Sequence, residues 1–352
     1  MTKRHIALLL SAAALAASGV AAAPPISVPR TYLVFPGQSI QKAVDSAKPG
    51  DTVLVTPGVH RESVKVTTPG LTLRGMGRST VLKPAAKAAG DCGERGNGIC
   101  VMGTKDQRLE GVTVSDLTVA GFSRAGVMSI DTDRLTVRNV TAEKNGLWGL
   151  AEEHSVRSEY RQNTARGNGD AGLFLANTIT AEQGATDTDG TRIAHNRLEN
   201  NRIGVTVRRL RDLTVAGNEI TGNCAGVFVV GDENKPRAGD LTVRDNWVVE
   251  NNKYCAATAR LPHLQGSGIV LTGAEETTVT RNTVTGNSGK SPLSGGIVLF
   301  KSMVGASSEN NRISDNALHG NSPADLVNQE SATHNNAFRN NSCRASKPAG
   351  MC

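Results

Sequence analysis

One unit is written twice between Ala194 and Val230, and that repeat limits what the chain can fold into more than any other feature. Asn196 and Asn201 precede Gly204-Val205-Thr206-Val207, and 22 residues later Asn218 and Asn223 precede Gly226-Val227-Phe228-Val229. Each unit carries three short apolar runs, such as Val205 with Val207, Leu213 with Val215, then Ile220, separated by Gly, Asn and Asp. Alternating runs this short read as strands, three to a turn of chain. A fixed period of this length marks a solenoid, whose turns bury their apolar faces only against their neighbours.

Further copies follow from the same frame. Asn pairs five residues apart recur at Asn163 and Asn168, Asn246 and Asn251, Asn282 and Asn287, Asn311 and Asn316, and Asn336 and Asn341. An eighth coil has Val140 and Asn145 in these places. Earlier coils hold the frame with Leu117 and Phe122, then Met76 and Val81. The Gly-led apolar run returns at Gly172-Leu173-Phe174-Leu175, Gly268-Ile269-Val270-Leu271 and Gly296-Ile297-Val298-Leu299. Asn suits a corner because it tolerates the left-handed conformation and its amide bonds to backbone, so equivalent Asn should stack into a structural ladder. With 38 Gly, 13 Pro and 3% aromatic residues, the chain suits one long solenoid better than two globular domains. At ~4.8 Å per coil, about ten coils make a rod near ~50 Å long around a column of Val, Ile and Leu.

Residues 1–22 read as a secretory signal peptide, with Lys3 and Arg4 before an apolar run from Ile6 to Ala17 and small residues before a cut near Ala22. That run is too short to span a membrane, and no other stretch is longer, so no membrane span is expected. Its removal takes the charge from +7 to +5 (7 − 2), still basic. Over residues 35–50 Ile40, Val44 and Ala47 fall on one face of a short helix, which can cap the end of the apolar column. Pro49-Gly50-Asp51 then turns the chain into strands at Val53–Val55, Val64–Val66 and Leu71–Leu73.

Ile40-Gln41, Ala43-Val44, the run Ala47-Lys48-Pro49-Gly50-Asp51-Thr52-Val53, Pro57-Gly58 and Glu62, together with the Asn repeats, carry a resemblance. The chain resembles the secreted right-handed parallel β-helix proteins of the pectate-lyase-like superfamily, including NosD-like and polyuronate-modifying members. His60 stands where such proteins often have Tyr. The resemblance implies an all-β, right-handed parallel β-helix of about ten coils over residues 31–345, after the short capping helix, with a disulfide-closed tail at 346–352. It does not fix the activity, because this fold hosts lyases, epimerases, hydrolases and noncatalytic proteins alike.

Six cysteines behind a signal peptide point to an oxidising destination. Cys92 and Cys100 flank a Gly-rich excursion before a strand at Ile99–Met102, and Cys343 and Cys352 would close the tail. Cys224 lies just after Asn223, and Cys255 four residues after Asn251 on the next coil, so the two share a corner one rung apart, close enough to pair. A metal site there would lack CxxC spacing.

Gly-to-Asn spacing is 14 residues in regular coils but 24 from Gly172 to Asn196, an insertion that contains Asn177 to Gly190, and a second insertion runs from Asn252 to Gln265. Long loops beside one strand column are where a rigid scaffold carries binding residues. Outward positions of that column read Met128, Ile130 and Asp131; Ala151, Glu153 and His154; Phe174, Ala176 and Asn177; Thr206, Arg208 and Arg209. Arg208 and Arg209 suit a planar sugar carboxylate, and His154, with Glu153 beside it, is placed to remove the proton next to that carboxylate once it is neutralised. Asn177 and Asp131 would contact substrate. Asp187 and Asp189, with Asp131 or Glu153, could supply oxygen ligands to Ca²⁺. The same charges also read as a solvated face without chemistry.

No GxSxG, HExxH or nucleotide-binding glycine loop is present in context. Basic charge is spread along the coils rather than gathered in one stripe, so an acidic polysaccharide fits better than nucleic acid. The sequence thus indicates a secreted monomer that binds, and cleaves or epimerises, a uronate-containing polysaccharide. The competing reading is a noncatalytic carbohydrate-binding or envelope-associated protein.

Overall fold

A computed structural model describes residues 28–352; the signal peptide expected over residues 1–22 lies outside the described residues. Successive short strands fall into three long sheets of 13, 10 and 11 strands. The first runs from Thr31–Val34 to Ala337–Arg339, the second from Gly58–Arg61 to Ala317–His319, and the third from Val64–Val66 to Ser346–Lys347. Each turn of chain contributes one strand to each sheet, and the strands within them pair parallel, as in Leu150↔Leu173↔Val205↔Val227↔Ile269↔Ile297. This is a parallel β-helix. The expected strands at Val53–Val55, Val64–Val66 and Ile99–Met102 are present, and Leu71 is a buried corner residue before the strand Thr72–Gly75.

Alternation sends Val205 and Val207 inward and Thr206 and Arg208 outward, so a continuous apolar column fills the coil. One patch of the column is polar. Ser129, Glu152 and Tyr160 occupy inward positions on neighbouring coils, and the Tyr160 hydroxyl donates to Glu152 Oε2 at 2.9 Å. Burial pushes the Glu152 carboxyl up to about 7, against the hydroxyls of Ser158 and Tyr160.

Two Asn ladders run up the corners flanking the second sheet. Asn196 Nδ2 donates to Asn218 Oδ1 at 2.9 Å and to Tyr160 O at 2.9 Å, while its own backbone N–H shares the Asn218 oxygen. One ladder links Asn163, Asn196, Asn218, Asn246, Asn282, Asn316 and Asn341. The other links Asn145, Asn168, Asn201, Asn223, Asn251, Asn287 and Asn321, and ends on Asp325. At the amino-terminal side the backbone N–H groups of Val140 and Phe122 donate the last bonds, to Asn163 Oδ1 and Asn145 Oδ1, as the frame requires.

Three expectations change. The left-handed residue at each corner is the one before the ladder Asn, including Gln162, His195, Asp245 and Asp315 at φ 55–58, so Asn serves here through its amide rather than its backbone. Asn311 and Asn336 do not share a ladder with Asn282. They form a separate pair at the corner before the first sheet, where Asn311 Nδ2 donates to Asn336 Oδ1 at 2.9 Å. Met76 is exposed, and Thr80 takes the buried place beside it.

Glycine leads each long strand because the coils meet there. A Cβ on Gly204 would stand 2.5 Å from Ile220 Cγ2 and 2.6 Å from the Gly226 carbonyl of the next coil. At the amino-terminal end the helix Ile40–Ser46 buries Ile40 and Val44. The Glu62 carboxylate accepts from the N–H groups of Ile40 and Gln41 and so caps it. A second short helix, Gly90–Glu94, lies in the excursion closed by Cys92 and Cys100. The three disulfides are Cys92–Cys100, Cys224–Cys255 and Cys343–Cys352. The tail is also a strand, Ser346–Lys347, pairing with Leu326–Asn328, so the third sheet continues past residue 345. No helix among the described residues is long and apolar enough to cross a membrane.

Candidate functional site

On the outer face of the third sheet, side chains that would meet water on an isolated coil are covered by the two insertions. Trp148, Phe174, Phe228, Val270 and Val298 form a second apolar layer there. Trp148 and Phe174 stack at 4.7 Å between ring centroids and 17° between planes. A cleft of about 610 Å³ opens over this layer, with Phe174, Thr206, Arg208 and Phe228 in its floor. Ile179, from the first insertion, forms one wall, and Thr258 to Leu261, from the second, form the other.

Two arginines serve both wall and cleft. Arg208 Nη2 donates to the carbonyl oxygens of Thr178 at 2.5 Å and Ile179 at 2.8 Å, which ties down the first wall, and its guanidinium lies 5.4 Å from the Phe174 ring centroid. Arg202 Nη1 donates to Ala256 O at 2.7 Å on the second wall, next to the Cys224–Cys255 disulfide. Among the described residues Arg208 Nε and Arg202 Nη2 have no hydrogen-bond partner, nor has the buried Thr206 hydroxyl. Buried donors of this kind cost about 1–3 kcal/mol each when unmet, so three lining one cleft mark a place built for an acceptor. None lines the equally large hollow beside the helix Ile40–Ser46. Burial, then Arg209 and Arg260, pushes the Arg208 guanidinium down to about 10, still charged at neutral pH.

Among the described residues Asp170 is the only carboxylate in the lining. Trp148 Nε1 donates to its Oδ2 at 3.0 Å, and burial raises its pKa against that bond and the charges of Arg202 and Arg208. The register Ala171↔Ile203 sets Asp170 and Arg202 side by side on successive coils.

Of the residues singled out from sequence, Arg208 lines the cleft. Glu153 shares its column two coils away, through Glu153↔Ala176↔Arg208, and its Oε1 accepts from the Ile179 N–H at 2.7 Å. Glu153 therefore anchors the wall. Arg209 and Asn177 are buried beneath the same insertion. Arg209 donates to Asn177 Oδ1, Asp232 Oδ2, Thr178 O and Ala181 O. His154 and Asp131 sit at the corner beyond the strands, outside the lining, with 3.8 Å between Nδ1 and Oδ1. Burial raises the Asp131 carboxyl, and His154 is the first group to oppose that.

Asp187 and Asp189 are exposed on Thr186–Ala194, a first-sheet strand, and Asp189 N–H donates to Asp187 Oδ1 at 2.8 Å. Asp131 and Glu153 belong to the third-sheet side, so neither is brought together with Asp187 and Asp189 as the expected Ca²⁺ site requires. Among the described residues no group of three or more His, Cys, Asp or Glu is placed to hold a metal ion. The insertion is also shorter than its sequence suggested, because its second half is strand with a register shift between Asp187 and Thr191.

Arg202, Thr206, Asp170 and Trp148 complete the cleft. Thr206 was visible as an outward position, but Arg202 and Asp170 precede the strand, one residue before the alternation begins. Their signal was positional equivalence across coils.

Comparison with known proteins agrees with this architecture. Residues 177–311 match the family model described as right handed beta helix region. The A-module of mannuronan C-5 epimerase AlgE6 from Azotobacter vinelandii superposes with a TM-score of 0.58 at 19% identity, covering 86% of this chain and 88% of that one. The AlgE4 A-module of the same organism gives 0.56 at 18%, covering 86% and 90%. An alginate lyase from Paenibacillus sp. str. FPU-7 gives 0.52 at 15%, covering 88% and 99%. No curated protein sequence matches the chain significantly. The chain is a right-handed parallel β-helix.

Proposed function

We propose that this is a secreted protein that binds a uronate-containing polysaccharide in the cleft over the third sheet and acts on it at the carbon bearing the carboxylate. The observation that carries the reading is the convergence of three unpartnered buried donors, on Arg202, Arg208 and Thr206, above an aromatic floor. A sugar carboxylate accepts from paired guanidinium N–H groups, and the C–H face of the ring packs on apolar surface. The three solved structures named above are mannuronan epimerase modules and an alginate lyase, which supports the substrate class by analogy of fold. Three disulfides suit a compartment outside the reducing cytosol.

The noncatalytic reading rests on a specific observation, that among the described residues no His, Tyr or Lys lines the cleft. Titration calorimetry with polymannuronate, polyguluronate and polygalacturonate, with neutral dextran as control and with and without Ca²⁺, tests the binding. The anionic polymers should bind and dextran should not; equal binding of dextran would reject the anion site. An ultraviolet-absorbing unsaturated product would identify a lyase. Binding without turnover or proton exchange would identify the noncatalytic protein.

A further inference from the structure

We infer that Asp170 is the catalytic residue that removes the proton next to the substrate carboxylate in this cleft, an inference that rests on the polyuronate reading above. A carbon acid next to a carboxylate needs two things, a cationic group on the carboxylate and a base within reach of the C–H. Arg202 and Arg208, which both line the cleft and whose charges act at Asp170, meet the first need with their guanidinium groups. Asp170 meets the second, because it is the one carboxylate in the lining among the described residues and lies beside Arg202 on the preceding coil. His154 and Glu153, the bases that sequence favours, face away, one at the outer corner and the other bonded to the Ile179 N–H.

The two oxygens of Asp170 are differentiated. Oδ2 is held by the Trp148 indole N–H at 3.0 Å, which fixes the carboxyl plane, and Oδ1 is left without a hydrogen bond, so it is the oxygen available to a C–H. Burial raises the carboxyl above its ordinary value and so makes it a stronger base than an exposed Asp. In the step, Asp170 Oδ1 takes the proton and the C–H electron pair passes into the carboxylate, forming a dianionic enolate held by the two arginines. The enolate then follows one of two routes. It expels the glycosidic oxygen at the neighbouring carbon, forming the ring double bond while that oxygen receives the proton from Asp170, or it takes a proton back on the opposite face from water. In the first route Asp170 ends ionised as it began; in the second it returns its proton to solvent. Neither route needs an oxidant or a co-reactant besides water.

Proton removal is common to both routes, so the test reads it directly. Wild type and Asp170→Asn are incubated with polymannuronate, polyguluronate and polygalacturonate in D₂O, and NMR follows loss of the ring C–H signal next to the carboxylate together with any unsaturated product. Calorimetry on the same samples measures binding. Wild type should exchange or eliminate on at least one polymer, and Asp170→Asn should lose about 100-fold or more of that rate while its affinity stays within a few fold. In wild type kcat/KM should rise with pH through the ionisation of Asp170. Trp148→Phe, which removes a bond that lowers the carboxyl pKa, should move that rise to higher pH, an effect that a purely structural role would not produce. Undiminished turnover in a folded Asp170→Asn, or wild-type binding without exchange or elimination, would overturn the assignment and leave the binding reading standing. Absence of polyuronate binding by wild type would overturn both.

Discussion

Arg208 divides one guanidinium between two tasks: Nη2 bridges two carbonyls of the wall, while the rest of the group lines the cleft and its Nε has no partner among the described residues. Arg208→Ala should therefore weaken polyuronate binding by at least tenfold, since hydrogen bonds to charged groups contribute about 1.5–3 kcal/mol, while the melting temperature falls by only a few degrees. Calorimetry and thermal unfolding on one preparation check both halves, and unchanged affinity would take Arg208 out of the site. Glu152 makes a different prediction, about stability. Its carboxyl is raised from 4.5 to about 7 in the folded state, so folding takes up a proton. The stability that this neutral carboxyl allows is complete below the unfolded value near 4.5 and is lost as pH rises through about 7. At 1.36 kcal/mol per pKa unit the loss is about 3 kcal/mol. Glu152→Gln should flatten that part of the stability–pH curve, so that the variant gains on wild type between pH ~5 and ~8 in denaturant titrations. A parallel pair of curves would mean that the carboxylate finds a partner when it ionises.

Among elements, the ladders and the second insertion give the clearest consequences. Asn223 accepts from the N–H and Nδ2 of Asn201 and donates to Leu198 O and Asn251 Oδ1, all buried. Asn223→Ala leaves several of these groups unmet, at about 1–3 kcal/mol each, so a loss of about 3 kcal/mol or more is expected in equilibrium unfolding, against a smaller one for Asn234→Ala, a half-buried residue whose amide bonds only Asp232. The Cys224–Cys255 bond, spanning 31 residues, staples the wall that carries Arg260 and Leu261 to the leading edge of the third sheet. The ladders were legible in the sequence because a buried amide at every rung leaves a period. Besides Met76, the frame slipped at Asn311 and Asn336, for a physical reason. A three-residue strand fits between any two corners of this coil, so a spacing of five marks either end of either short sheet. The site was less legible. Arg208 could be found from the alternation, but the path of each insertion is set by bonds such as Glu153 to Ile179 and Arg209 to Asn177, which leave no period. Asp170 and Arg202 sit outside the alternating stretch.

For the whole molecule, the question is whether a basic rod binds an acidic polymer along its length or at one place. The chain carries 39 Lys and Arg against 32 Asp and Glu, a formal charge of +7, and most of its cations are exposed along the coils. Exposed charges act on a polyanion through solvent and lose their reach as the Debye length falls from ~30 Å at 0.01 M to ~3 Å at 1 M salt. The donors in the cleft behave differently. Arg202 is 8% exposed and Arg208 is partly covered by the wall it holds, so their bonds to a carboxylate are screened much less. A long polyuronate should therefore lose much of its affinity and association rate between these salt concentrations, as its contacts outside the cleft are screened. A uronate oligomer short enough to lie within about 610 Å³ should lose far less. Measuring both ligands on wild type across that range separates the alternatives. A parallel fall for oligomer and polymer would assign the binding to the basic surface of the rod rather than to the cleft. A nearly salt-independent oligomer that stops binding in Arg208→Ala would locate the recognition of the carboxylate on the third sheet.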